Sequence, residues 1–401
     1  MSHSLLITSD SSFQTLCDEI ESTGIVAFDT EFVSEFTYRP ELCLLQFATP
    51  KRAVAVDPFE VRDLSRWWEI MAAGEVQVVV HGSREEVRYC LRYANARPGR
   101  IWDVQIAEGL QSRGFPLSYT SLVARVLGQS TSGKETRTDW RKRPLTDRQI
   151  TYAVEDVQYL IDVYQSQQKS LAARGRIDWA KTEIDRFLDD VEGESTREGW
   201  RKLAGTNGFS SRELAIAREL WNWREREAES QDRPARKILR DDLLVELVKR
   251  QPEDTADLLA TRDMNRSDYR RMAPSMIGAI QRARALPAGS LPPVRRADKD
   301  HDEHLLAQLL GMALANRCAQ QEVALQLVGT SADLKHLVRW HVFGDNRDGQ
   351  PRILSGWRSE VCGALLADVL EGRVALRIAD AQSDHPLEFV RLPADGGTGK
   401  Q

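Results

Sequence analysis

Apolar residues in the first part of the chain fall into short runs separated by turn residues. "IVAFDTEF" (25–32), "LCLLQFAT" (42–49), "RAVAVDP" (52–58) and "VQVVVHG" (76–82) are rich in β-branched and aromatic residues and predict strands. The links among the first three are too short for helical crossovers, which predicts an antiparallel meander. "SREEVRYCLRYA" (83–94) then reads as a helix, and 100–105 as a further strand. From about 208 the period changes. "SSRELAIARELWNWREREAE", "RKILRDDLLVELVKR" and "SMIGAIQRARAL" are helical, "LPAGSLPPVRRADKDHD" (286–302) reads as a linker, and a second helical segment runs from 303 to 371. The pattern predicts an α/β domain with a mixed sheet over 1–185, followed by two all-α domains over 208–286 and 300–380.

Length and composition narrow the class. At 401 residues the chain is long enough for two or three domains. A net charge of −5 argues against binding polyanions through bulk charge and leaves room only for a local basic patch. The five cysteines are scattered, without a CxxC pair, so neither a disulfide framework nor a zinc knuckle is expected. The N-terminal segment lacks a basic region followed by a long apolar run, and no segment approaches membrane-spanning length. A soluble cytoplasmic protein, monomeric and without a membrane partner, is the expectation.

Candidate chemistry begins inside the first strand. Asp29 and Glu31 are two residues apart and point to the same face. Two buried carboxylates repel, and one would take up a proton unless a cation sits between them. Mg²⁺ and Mn²⁺ prefer such hard oxygen ligands, whereas a solvated edge strand would need no ion. Further along, Thr146 and Gln149 form a capping box, and Leu145 with Ile150 a hydrophobic staple. The helix so started has a core stripe of Ile150, Ala153, Val154, Val157, Ile161 and Tyr164. Tyr152 and Asp156, four residues apart, stand together at the edge of that stripe.

Taken together, "FDTEF" (28–32), "HGSREEVRY" (81–89) and "YAVED" (152–156) resemble the three motifs of the DEDD exonucleases, with the tyrosine of the DEDDy branch. "KETRTDWRKRPLTDRQITYAVEDVQYL" (134–160) is similar to ribonuclease D, and 219–248 to an HRDC domain. "LSGWRSEVCGALLADVL" (354–370) resembles the end of such proteins. The resemblance implies a ribonuclease-H-like fold followed by two HRDC-like domains. It implies 3′–5′ exonuclease activity on RNA 3′ ends, in tRNA precursors or other small structured RNAs, with release of nucleoside 5′-monophosphates. Asp29, Glu31, Glu86 and Asp156 would hold two divalent ions, Mg²⁺ or Mn²⁺, and Tyr152 would orient the attacking water. With an ordinary pKa of ~10, Tyr152 is a poor general base.

One position departs from that pattern. The second motif ordinarily supplies an aspartate, and here Glu86 stands in its place beside Glu85. Its extra methylene needs a bent rotamer or leaves activity weak, so a catalytically weak or inactive RNA-binding homologue is one alternative and a DNA exonuclease another. Asp103 reads as a helix N-cap or a residue supporting the ligands, and His81 as a structural histidine. RNA contacts are expected from Lys134, Arg137, Trp140, Arg141 and Arg143, in a stretch (134–148) holding six basic and three acidic residues. Trp140 either stacks on a base or packs into the core. The segment 208–286 has sixteen basic and fourteen acidic residues, so its charge alone gives no grip on RNA.

Overall fold

The computed structural model describes residues 5–131, 138–195, 198–294 and 303–393. The first part runs β1 (Leu6–Ile7), α1 (Asp10–Thr23), β2 (Ile25–Val33), β3 (Glu41–Ala48), β4 (Ala53–Val56), α2 (Ser65–Ala73), β5 (Gln77–Val80), α3 (Arg84–Tyr93), β6 (Ile101–Asp103), α4 (Val104–Gly109), α5 (Tyr119–Leu127), α6 (Asp147–Gln158), α7 (Leu160–Ala173) and α8 (Ile177–Glu192). Six strands form one sheet in the order β1-β4-β3-β2-β5-β6. β2, β3 and β4 make the expected antiparallel meander, and β5 and β6 extend it in parallel with β2. β1, at two residues too short to show a period, pairs in parallel with β4.

β2 lies inside the sheet and its alternation separates two environments. Phe28 is wholly buried, its ring 5.1 Å from Phe47 and 4.7 Å from Trp67. Asp29 and Glu31 project from the other face. A bulge in the β2–β3 pairing between Glu31 and Phe32 ends the regular register just past the acids.

α6 starts at the predicted capping box: Thr146 Oγ1 accepts from the Gln149 N–H, and the Gln149 carbonyl oxygen accepts from the Thr146 N–H at 2.9 Å. Its buried face, Ile150, Ala153 and Val154, closes with Leu145, Cys43, Leu44, Ala55 and Trp140 a small core against the meander. The expected stripe does not stay on one helix. The chain breaks at Tyr159, so Ile161 and Tyr164 belong to α7. At the break the Tyr119 hydroxyl donates to the Glu155 carbonyl at 2.6 Å and accepts from the Tyr159 N–H at 3.3 Å. A side chain set into the backbone ladder in this way interrupts a helix.

The two helical segments relate differently to this domain. α9 (Ser211–Ser230) packs with the helices Asp241–Arg250 and Ser267–Ala285 around Leu220, Trp223, Leu244 and Ile280, a core of its own. The helices Glu303–Gln321, Ser331–Phe343 and Ala364–Leu370 instead share the core of the α/β domain. Trp357 stacks on Trp179 of α8 at 5.3 Å, and buried Arg358 donates to buried Glu183 at 2.5 Å. This segment ends in a hairpin, β7 (Val374–Ile378) with β8 (Leu387–Arg391), a feature absent from the helical expectation. Both strands are largely exposed, so the apolar alternation that marks a strand is weak there. Among the described residues no helix is long and apolar enough to cross a membrane.

Candidate active site

The strand alternation of β2, the turn into α3 and the capped α6 bring the predicted acids to one place. A cleft of about 270 Å³ is lined by Asp29, Thr30 and Glu31 from β2 and by Tyr152, Glu155 and Asp156 from α6, with His81, Ser118, Tyr119, Thr120 and Thr131 completing it. Asp29 is pushed well above the usual carboxylate range by burial, then by the charges of Glu86, Glu31 and Asp156. Burial, with Asp156 and Glu86, raises Glu31 to about 8. Asp156 rises to about 6 through burial, opposed by the hydrogen bond from Tyr152. Tyr152 is itself shifted upward, by burial and then by Asp156, so its hydroxyl stays protonated and donates.

Glu86 occupies the departing position and the structure shows how its length is taken up. It is buried, in the first turn of α3. Its carboxylate accepts from the Thr30 hydroxyl at 2.5 Å and from its own backbone N–H, and burial raises it to about 7 against those bonds. It is charge-coupled to Asp29 without lining the cleft. The start of α3 is tied down by Asp103, whose carboxylate accepts from the N–H groups of Gly82 (3.2 Å) and Ser83 (3.1 Å) and from the Ser83 hydroxyl. The same side chain caps α4 through the Gln105 N–H at 2.9 Å. Both roles weighed for Asp103 are therefore filled by one residue. His81 is structural as expected: its Nε2 lies 2.9 Å from the Leu117 carbonyl and burial lowers its pKa.

Two of the expected RNA contacts are corrected. Trp140 is 4% exposed and belongs to the small core beneath α6, its ring 6.4 Å from that of Tyr152. It has no face left for a base. Arg143 spends all five guanidinium N–H donors inside the protein, on both Asp57 oxygens (2.6 and 2.9 Å) and on the carbonyls of Cys43, Trp140 and Lys142. It is a clamp between the 139–144 turn and the sheet, not a phosphate ligand. Arg141 remains near the surface, paired with Asp139 and placed 4.2 Å over the exposed Phe36 ring. Lys134 and Arg137 lie outside the described residues.

The sequence also gave no hint of the cleft's second wall. Ser118, Tyr119, Thr120 and Thr131 line the cleft opposite β2, with Thr131 donating to Thr120 at 3.1 Å. They stand far along the chain from both acid motifs, and Ser118 shows only a local helix-capping pattern.

An all-oxygen donor set with excess like charge suits a hard divalent cation. Among the described residues no three His, Cys, Asp or Glu side chains stand in a ready ligand geometry. The fit is thus one of donor type and charge, with Glu86 turned onto Thr30.

Comparison with known proteins agrees with the fold. The 3′–5′ exonuclease family matches residues 5–172 and the HRDC domain matches 213–280. Ribonuclease D of Jannaschia sp. is 31% identical over 379 residues, covering 92% of this chain and 96% of its own. That of Nitrobacter hamburgensis is 30% identical over 376 residues, covering 93% and 97%. The crystal structure of Escherichia coli RNase D, described as an exoribonuclease involved in structured RNA processing, superposes with a TM-score of 0.80 at 24% identity, covering 92% of this chain and 98% of that one. With these relatives matching over more than nine-tenths of its length, the chain belongs to the ribonuclease D family and is a 3′–5′ exoribonuclease.

Proposed function

We propose that the chain shortens RNA from the 3′ end by hydrolysis, one nucleoside 5′-monophosphate at a time, with Asp29, Glu31, Asp156 and Glu86 holding two divalent ions, Mg²⁺ or Mn²⁺. The observation that supports this most is the gathering of Asp29, Glu31 and Asp156 at one cleft, with Glu86 close enough to raise Asp29 by its charge. A cation supplies their counter-charge. When bound, the ions activate a water and stabilise the leaving 3′-oxygen. The chain's own groups supply position. Tyr152, kept protonated, donates to Asp156 and orients the attacking water without removing its proton. We take tRNA precursors and other small structured RNAs as the substrates, in line with the structured RNA processing of the Escherichia coli protein.

The test uses purified protein with Mg²⁺ or Mn²⁺ and 5′-labelled single strands of RNA and DNA, beside Asp29→Asn. Stepwise shortening of RNA, lost in the variant, is the expected result. Faster shortening of DNA would reassign the substrate. Shortening by the Asp29→Asn protein at the original rate would remove the carboxylate cluster from the reaction.

A further inference from the structure

The break between α6 and α7 lies three residues beyond Asp156. In an uninterrupted helix the Tyr159 N–H would donate to the Glu155 carbonyl. Here the Tyr119 hydroxyl stands between them, 40 residues away in sequence, donating to that carbonyl at 2.6 Å and accepting from that N–H at 3.3 Å. The Glu155 carbonyl belongs to the peptide unit whose nitrogen is that of Asp156. The phenol therefore grips the backbone of the aspartate itself.

We propose that Tyr119 is a positioning residue for the hydrolysis, holding the last turn of α6 so that the Asp156 carboxylate faces Asp29 and Glu31. The proposal rests on the reading that Asp156 belongs to the reaction centre. Three features carry it. The phenol is held in place: its ring meets His81 edge-on at 6.1 Å, and His81 is anchored on the Leu117 carbonyl. Both capacities of the hydroxyl, donor and acceptor, are used on the break. The α7 side of the break is held by Leu160, Ile161 and Val163, all built into the main core, whereas in the last turn of α6 Val157 alone shares it. Removing the hydroxyl leaves a half-buried carbonyl and N–H to find each other. With α7 held, the adjustment falls on the last turn of α6 and turns Asp156 away from its partners.

Tyr119→Phe keeps the ring and deletes the hydroxyl. It is compared with the original protein and Asp156→Asn in turnover of 5′-labelled RNA, in Mn²⁺ binding by calorimetry and in thermal melting. The expected result is a kcat lowered about tenfold or more with KM within about twofold, since a misplaced catalytic group acts on the chemical step. Mn²⁺ binding should weaken several-fold in parallel, although the protein remains folded. Original kcat and an original Mn²⁺ isotherm in Tyr119→Phe, while Asp156→Asn loses both, would overturn the role of Tyr119 and leave the site intact. The role is also overturned if activity falls only with the folded fraction and metal affinity per folded molecule is unchanged. Full turnover and Mn²⁺ binding in Asp156→Asn would overturn the site and the role of Tyr119 together.

Discussion

On one face of β2, Val26 and Phe28 are wholly buried, Phe28 among aromatic rings; on the other, starting at the next residue, Asp29 and Glu31 line a cleft. The same backbone, with the same hydrogen-bond ladder, thus carries a stabilising surface and a destabilising one. The difference teaches that the strand is placed by its aromatic face. The acid face is tolerated because that placement is already secured, and its cost is what a cation can relieve.

Phe28→Ala would break the comparison most severely. Deleting a fully buried aromatic should lower unfolding free energy by about 3–5 kcal/mol, read from denaturant melts. Asp29→Asn on the opposite face should do the reverse and raise the melting temperature of the metal-free protein while abolishing turnover. Comparable destabilisation by both variants would mean that the acid face also holds the strand.

A smaller effect should appear with pH. Glu31, Glu86 and Asp156 have folded pKa values of about 8, 7 and 6, above their unfolded values. Between the two values the folded state binds more protons than the unfolded, so stability falls as pH rises. Chemical denaturation in a chelator should show the contribution of these acids complete near pH 4 and lost progressively up to pH 8. Adding millimolar Mg²⁺ should flatten the slope. A flat profile in chelator would show that the acids do not repel one another.

Thr30→Val sharpens the contrast at the point where the faces meet. Thr30 is on the Phe28 side of the alternation, yet its hydroxyl reaches Glu86. The variant preserves shape and removes that bond, at a cost of about 1–3 kcal/mol for the group left unpaired. Turnover should fall because the long Glu86 side chain is released from Thr30. Unchanged turnover would leave the Thr30–Glu86 bond a purely structural one.

Much of the arrangement was legible because it depends on local periods. Alternation placed Asp29 and Glu31 together, short links gave the meander, and Thr146 with Gln149 marked the start of α6. What was hidden depends on contacts between distant segments. The basic stretch around Trp140 looked like an RNA grip because sequence shows charge and not its partners; Asp57 and three backbone carbonyls had already claimed Arg143. The stripe from Ile150 to Tyr164 has a continuous helical period, and only a hydroxyl from Tyr119 interrupts it. The two helical segments looked alike in pattern, since periodicity records that a face is buried and not what buries it.

That last point bears on the order in which the molecule is made. Glu183 lies in α8 and acquires its buried cation, Arg358, only 175 residues later, while Trp179 waits for Trp357. A chain emerging from the ribosome passes the whole catalytic constellation and the HRDC segment before it can cover that side of the nuclease core. Until then α8 exposes the Trp179 ring, and the Glu183 carboxylate has only Arg186 of its own helix as a counter-charge. Burial of that side of the nuclease core therefore depends on a segment made well after the catalytic cleft is complete in sequence.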